Sequence, residues 1–162
     1  MRTSVKALLF STILVLFVAF SCSEGGEPVT KEGPFNISEL AGNWEATSAY
    51  FRSDDGNTDI ELIGEGGTVT MTVQSSGRFT MIVDPADRAS YTVGGEMFWE
   101  IWEGQYLFSI TWDVEPDDWE NYGATLTDTT LLISGSFGTA EYDFDNDGTP
   151  ESSTLSIDFT RV

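Results

Sequence analysis

The chain has no histidine and a single cysteine, Cys22, in 162 residues. Without histidine there is no Ser–His–Asp or Cys–His nucleophilic machinery, and a zinc centre lacks its usual ligands. With one cysteine no disulfide can form within the chain, so apolar burial must hold any domain together. Positive charge is scarce too: 7 Lys and Arg stand against 27 Asp and Glu, a formal net charge of −20. That balance excludes a protein body that grips nucleic-acid phosphates, which demand Lys and Arg. It also argues against docking the body on anionic lipid, and it favours solubility, cation binding or a salty habitat. Sustained helical periodicity is missing as well. Carboxylate pairs abound, yet nothing in the order of residues selects one pair as acid and base. The chain reads as non-catalytic.

What is present begins at the N-terminus. Arg2 and Lys6 precede Ala7–Phe20, which carries no charge, and Ser21 and Cys22 follow before the acidic Ser23-Glu24-Gly25-Gly26-Glu27. A basic start, a short apolar stretch and small residues at its end describe a secretory signal. The stretch is shorter than the roughly 20 apolar residues of a bilayer span. Residues 1–21 resemble the signal of a bacterial lipoprotein, in which the cysteine after cleavage is acylated. The position before Ser21 is Phe20, where the usual pattern has a small residue. Ordinary cleavage that leaves a free thiol, or an uncleaved anchor, are the alternatives. The resemblance implies an exported protein held to the bacterial cell envelope by lipid on Cys22. Ser23 in place of an aspartate points to the outer membrane, with the periplasmic or surface face left open. Residues 22–35, rich in Gly, Glu and Pro without apolar periodicity, read as a flexible tether.

From residue 36 to 162 the composition changes to Thr, Val, Phe, Tyr, Trp and Ile, broken at short intervals by Gly, Asp and Asn. That is enough chain for one domain with a core, and its texture is that of strands in series. Asn36-Ile37-Ser38-Glu39 carries a capping pattern for one helical turn, and Pro116–Trp119 could open another. Strands are expected at Asn43–Arg52, Asp59–Ile63, Thr68–Gln74, Arg78–Asp84, Ser90–Val93 and Met97–Glu103. Five more follow at Gln105–Asp113, Ala124–Thr127, Thr130–Ser134, Thr139–Phe144 and Thr154–Val162. Val69, Met71 and Val73 alternate with threonines, and Phe79/Met81/Val83 and Leu155/Ile157/Phe159 repeat the pattern. Period-two alternation means one buried and one wet face, as in antiparallel sheets. About eight to ten short strands joined in order predict an all-β, up-and-down antiparallel barrel, since closure removes exposed edges. A two-sheet β-sandwich is the alternative.

Two ends of this domain carry a resemblance. Gly42-Asn43-Trp44 after a helical turn is similar to the Gly-x-Trp that opens the first lipocalin strand, and Leu155–Val162 is similar to the closing strand of bacterial lipocalin-like lipoproteins. The resemblance implies that Arg161 covers Trp44 and plugs one end of the barrel. Arginine over an indole face gains cation–π attraction of about 0.5–2 kcal/mol. An ordinary core tryptophan with a terminal surface arginine is the alternative. Lipocalin-like build implies a carrier of a small apolar or amphipathic ligand. The competing reading is a structural or interaction lipoprotein whose barrel is filled.

Two groups of residues are candidates for binding. Phe98, Trp102, Tyr106, Phe108 and Trp112 crowd one stretch and could line an aromatic ligand cavity, although core packing is an aromatic's commoner fate. In the same stretch Met97/Trp99/Ile101 oppose Phe98/Glu100/Trp102 in parity. Both faces are thus partly apolar and require cover from residues 116–123 or a partner. The second group is Asp143, Asp145, Asp147 and Glu151, in a run that resembles the Asp-x-Asp-x-Asp-Gly calcium loop. Glu151 stands at the ninth position, and Thr154 occupies the twelfth, where an EF-hand has its bidentate glutamate. The alternative is a polar hairpin turn with left-handed angles about Asn146–Gly148. Calcium is therefore the one cofactor the sequence raises. Asp54–Asp59 is a poorer copy and reads as a loop.

Overall fold

The computed structural model describes residues 28–162. The expected signal peptide, Cys22 and the first residues of the expected tether lie outside the described residues. Eleven strands form: β1 (Val29–Thr30), β2 (Gly42–Ser53), β3 (Asp59–Glu61), β4 (Thr68–Val73), β5 (Arg78–Asp84) and β6 (Tyr91–Trp102). They continue as β7 (Gln105–Trp112), β8 (Glu120–Leu126), β9 (Thr130–Ser134), β10 (Ala140–Tyr142) and β11 (Glu151–Arg161). All pairings are antiparallel, and eight strands close a ring in the order β2-β4-β5-β6-β7-β8-β9-β11. The closing pair, β11 on β2, runs from Ser153↔Ser53 to Arg161↔Trp44. Closure leaves no pair of separate layers, so the fold is a barrel and not a sandwich. Near one end β3 and β10 take up the outer edges of β2 and β11 where β4 and β9 stop.

The alternation of the sequence becomes the wall of the core. Val69, Met71, Val73, Phe79, Met81, Val83, Leu155, Ile157 and Phe159 are buried, while their neighbours along each strand face outward or sit at the boundary. Each large apolar side chain so removed from water contributes about 1.5–3 kcal/mol.

β2 breaks this simple rule. Its register against β11 shifts between Asp158 and Phe159, which face Ser48 and Ala46, so Thr47 is an extra residue. A bulge of one residue flips every later side chain to the other face. Trp44 is inward before it, and Ala49 and Phe51 are inward after it. The Ala49 N–H is taken up by the Glu61 carboxylate at 2.9 Å, and the same carboxylate accepts from the Gly64 N–H. Burial pushes the Glu61 carboxyl up, but hydrogen bonds from the Ala49 and Gly64 N–H groups, the Ser48 hydroxyl and the Ile63 N–H outweigh it and hold it below its ordinary value of 4.5. The folded form therefore binds its proton less readily than the unfolded one, and the contribution is present above pH 4.5 and lost as pH falls through the lowered folded value. We expect Glu61→Gln to lower the melting temperature at pH 7 and to narrow the gap to the parent protein as pH drops below 4. Thermal melts across pH 3–7 check it, and a gap that widens in acid would contradict it.

Several boundaries differ from the sequence expectation. Ser90–Val93 and Met97–Glu103 are one strand, β6, because Gly94 and Gly95 stay extended and pair with Thr80 and Phe79. β8 begins at Glu120, so no helix forms at Pro116–Trp119, where the chain turns. Residues 28–35, expected as the end of a flexible tether, are part of the fold: β1 pairs with β6 at Glu100 and Trp99, the Ile101 N–H donates to the Pro28 carbonyl at 2.9 Å, and the Trp99 indole N–H to the Phe35 carbonyl at 2.9 Å. Phe35 also meets the Trp99 ring edge-on at 4.9 Å. That contact gives residues 28–35 an apolar reason to be ordered that their composition hides.

Candidate functional site

The two ends of the barrel are built differently. At one end the helical turn Ile37–Leu40 lies across the opening, and Ile37 and Leu40 are fully buried. The Glu39 carboxylate accepts from the Asn36 backbone N–H at 2.8 Å and from its side-chain amide at 2.9 Å, which fixes the turn where the capping pattern placed it. Trp44 is also fully buried, and its indole N–H donates to the Leu40 carbonyl at 2.9 Å. Arg161 lies over the Trp44 ring at 4.1 Å. Its guanidinium donates to the Ala41 and Glu39 carbonyls, each at 2.7 Å, and to the Asp128 carbonyl at 3.2 Å. One arginine thus ties the helical turn, the β8–β9 hairpin and the C-terminal strand into a stopper.

The opposite end is a half-open cavity of about 980 Å³. Phe51, Met81, Val93, Trp112 and Leu155 line its apolar part. Around them stand Arg88, Tyr91, Val114, Glu120 and Tyr142, from the loops and strand ends at that side. The Trp112 ring rests edge-on against Phe79 at 5.5 Å, which anchors it from below.

Arg88 is held in place: it forms a two-pronged pair with Asp87 at 3.1 and 3.0 Å and donates to the Asp143 carbonyl, with its guanidinium 5.2 Å from the Tyr142 ring centre. The hydrogen-bonded Arg88 guanidinium holds the Asp87 carboxyl below the usual aspartate range. Glu120 shares inward parity with Tyr122, and its carboxylate, 2.9 Å from the Tyr122 hydroxyl, competes for that one proton with the Thr139 carbonyl. Burial pushes the Tyr122 hydroxyl far up, and the neighbouring Glu120 charge adds to the rise, so that hydroxyl keeps its proton.

Of the five aromatic candidates, the structure brings only Trp112 to this cavity. The β6–β7 hairpin projects past the stoppered end, which carries the others away from the mouth. Phe108 is buried there against Phe35 and Trp99. Tyr106 and Trp102 sit near the hairpin tip, each about half exposed. Phe98 is on the outer face of β6, covered by Trp119, whose ring meets it at 6.0 Å and whose N–H donates to Glu100 at 3.1 Å. The 116–123 segment thus supplies the cover that the parity of β6 required.

Apart from Trp112, none of the residues named on the cavity was a sequence-level candidate for it; Met81 and Leu155 were read only as core, and Phe51, Arg88, Tyr91, Glu120 and Tyr142 were given no role. The signal for Glu120 was legible: reading β8 backward from Ala124 through Tyr122 places it inward. Phe51 was not, since its orientation depends on the bulge at Thr47.

Asp143, Asp145, Asp147 and Glu151 do converge, with one carboxylate oxygen of each within 4.8 Å of all the others. Asn146 and Gly148 take positive φ of 59° and 90°, and the carboxylates of Asp143, Asp145 and Asp147 accept from backbone N–H groups of the same loop. Both turn geometry and convergent hard oxygens are therefore present. Four carboxylates at this spacing suit calcium, which takes oxygen ligands at about 2.3–2.6 Å. Asp143 also lies 3.8 Å from Arg88, a cation already competing for part of its charge.

No protein-family model, curated protein or solved structure matches the chain.

Proposed function

We propose that this protein is a non-catalytic, lipocalin-like binder or carrier of a small apolar or amphipathic ligand, exported and held to the bacterial envelope by lipid on Cys22. The observation that carries the reading is the half-open cavity of about 980 Å³ at one end of a closed barrel whose other end is stoppered. Ligand sites of drug-sized molecules span roughly 300–1,000 Å³ and are mostly apolar with a few placed polar groups. The wall of Phe51, Met81, Val93, Trp112 and Leu155 meets that description. A filled barrel would leave only surface roles, and this volume favours carriage over that reading. The lipocalin-like assignment draws on the Gly42–Trp44 opening, the Arg161 contact and the up-and-down order of the ring.

The decisive experiment is mass spectrometry of an organic extract of the purified protein, with thermal melts against a lipid panel. Carriage predicts a co-purifying small molecule or a rise in melting temperature with at least one class of amphiphile. A ligand-free protein that no lipid stabilises would leave the structural reading in its place. Acylation of Cys22 is read separately, from the intact mass of the membrane fraction.

A second reading concerns Asp143, Asp145, Asp147 and Glu151, whose converging oxygens favour a calcium ion at the loop. When bound, the ion would neutralise part of the local negative charge, and these four side chains would hold it. Extracellular modules bind calcium with Kd of about 0.1–1 mM, so calcium at tenfold Kd would add about 1.4 kcal/mol to stability. We expect millimolar calcium to raise the melting temperature by a few degrees and Asp145→Ala to abolish the gain. An equal rise in that variant would move the ion elsewhere on the acidic surface.

A further inference from the structure

The charges around the cavity are unequal in a way that names the ligand. The described residues contain five basic side chains, and each already has a partner. Lys31 pairs with Glu96, Arg52 with Asp59, Arg78 with Asp113 and Arg88 with Asp87, while Arg161 lies on Trp44 at the far end. Glu120 has no such partner among the described residues, although it points inward and is only partly exposed. Its one polar contact is the neutral Tyr122 hydroxyl. Trp112 lies diagonally across from it, because Ile110 pairs with Glu120 on the adjacent strand. A half-buried carboxylate without a salt-bridge partner at an apolar wall is a ready counter-ion for a ligand cation, and aromatic faces beside it attract the same cation. Glu115 and Glu141 at the rim add charge of the same sign. Arg88, the one cation on the lining, already spends three of its five N–H donors on Asp87 and the Asp143 carbonyl, and the Asp87 charge offsets its own, which weakens its pull on a fatty-acid carboxylate.

From this arrangement we infer that the cavity takes a cationic amphiphile, an apolar body bearing a protonated amine or quaternary ammonium, with Glu120 as its counter-ion and Trp112 against its polar end. The inference rests on the carriage reading and adds to it the sign of the ligand's charge.

Three probes of equal chain length separate the possibilities: dodecyltrimethylammonium, dodecanol and dodecanoate. Each is titrated below its micelle concentration by calorimetry at about 0.15 M salt, where long-range fields are screened. The cation should bind at least about tenfold more tightly than dodecanoate. In Glu120→Gln, which keeps an acceptor for Tyr122, cation and alcohol should bind within about twofold of each other. Glu45→Gln, on the exposed outer face of β2, should leave the preference intact. Binding of all three probes with similar affinity overturns the inference and spares carriage. A preference that survives Glu120→Gln also overturns it, because the whole acidic surface would then be its source. Binding of none of the three overturns carriage and this inference together. If Glu120→Gln fails to match the parent's melting temperature, the order of the three probes on the parent protein decides alone: dodecanoate equal to or tighter than the cation rejects the inference.

Discussion

Replacing Trp44 by alanine should lower the free energy of unfolding by about 3–5 kcal/mol and the melting temperature by roughly 10–20 °C. The indole is fully buried at the stoppered end, donates to the Leu40 carbonyl and supports the Arg161 guanidinium. Its removal opens a cavity, orphans a carbonyl and leaves the arginine over empty space. Trp44→Phe separates these effects. It retains most of the packing and loses the hydrogen bond, so it should cost about 1–2 kcal/mol. Urea denaturation followed by circular dichroism reads both. A Trp44→Ala loss below about 1 kcal/mol would mean that the stopper is incidental to stability.

The second large effect is expected at Gly95. A side-chain carbon there would lie 2.2 Å from the Thr111 carbonyl oxygen and 2.8 Å from the Phe79 ring. The first contact is backbone and cannot swing aside, while the ring is held against Trp112. Gly95→Ala should therefore cost about 3 kcal/mol, the upper part of the range for overpacked cores. Adjacent Gly94 offers an internal comparison: its added carbon meets the end of the Asp113 carboxylate at 2.6 Å, a flexible group, with backbone no closer than 3.3 Å. Gly94→Ala should cost less than about 1 kcal/mol. Equal costs at the two positions would show that strand flexibility, not close approach, accounts for the pair. Because Phe79 carries Trp112, the Gly95 variant should also shift indole fluorescence.

The order of strands and the class of fold were readable because alternation at Val69–Val73, Phe79–Val83 and Leu155–Phe159 is a local property, set by which face meets water. The hairpin at Glu103-Gly104 was readable from its glycine, which takes a positive φ of 78°, although Glu103 beside it holds a φ of 49° that its residue type does not favour. Long-range facts were hidden. The bulge at Thr47 has no local mark, and it alone decides which side of the wall Phe51 faces. Gly94-Gly95 looks like a break until Phe79 is seen to pack over it. The aromatic stretch from Phe98 to Trp112 was legible as a cluster but not as a location, because sequence does not tell how far a hairpin runs past the barrel's edge. The acidic loop was the reverse case: four carboxylates close in sequence on a tight turn have little choice but to meet.

The chain enters the barrel beside the projecting hairpin, with Pro28 bonded to Ile101 below the stopper. Any pull from the N-terminal side is therefore delivered to the plugged pole. Were the proposed lipid on Cys22 its support, the molecule would hang with its doorway turned away from it, and the proposed cargo would be exchanged with the surrounding liquid and not sideways with a bilayer. Under that proposal, deleting residues between Cys22 and Pro28 would bring the plug nearer to the lipid and leave the doorway clear.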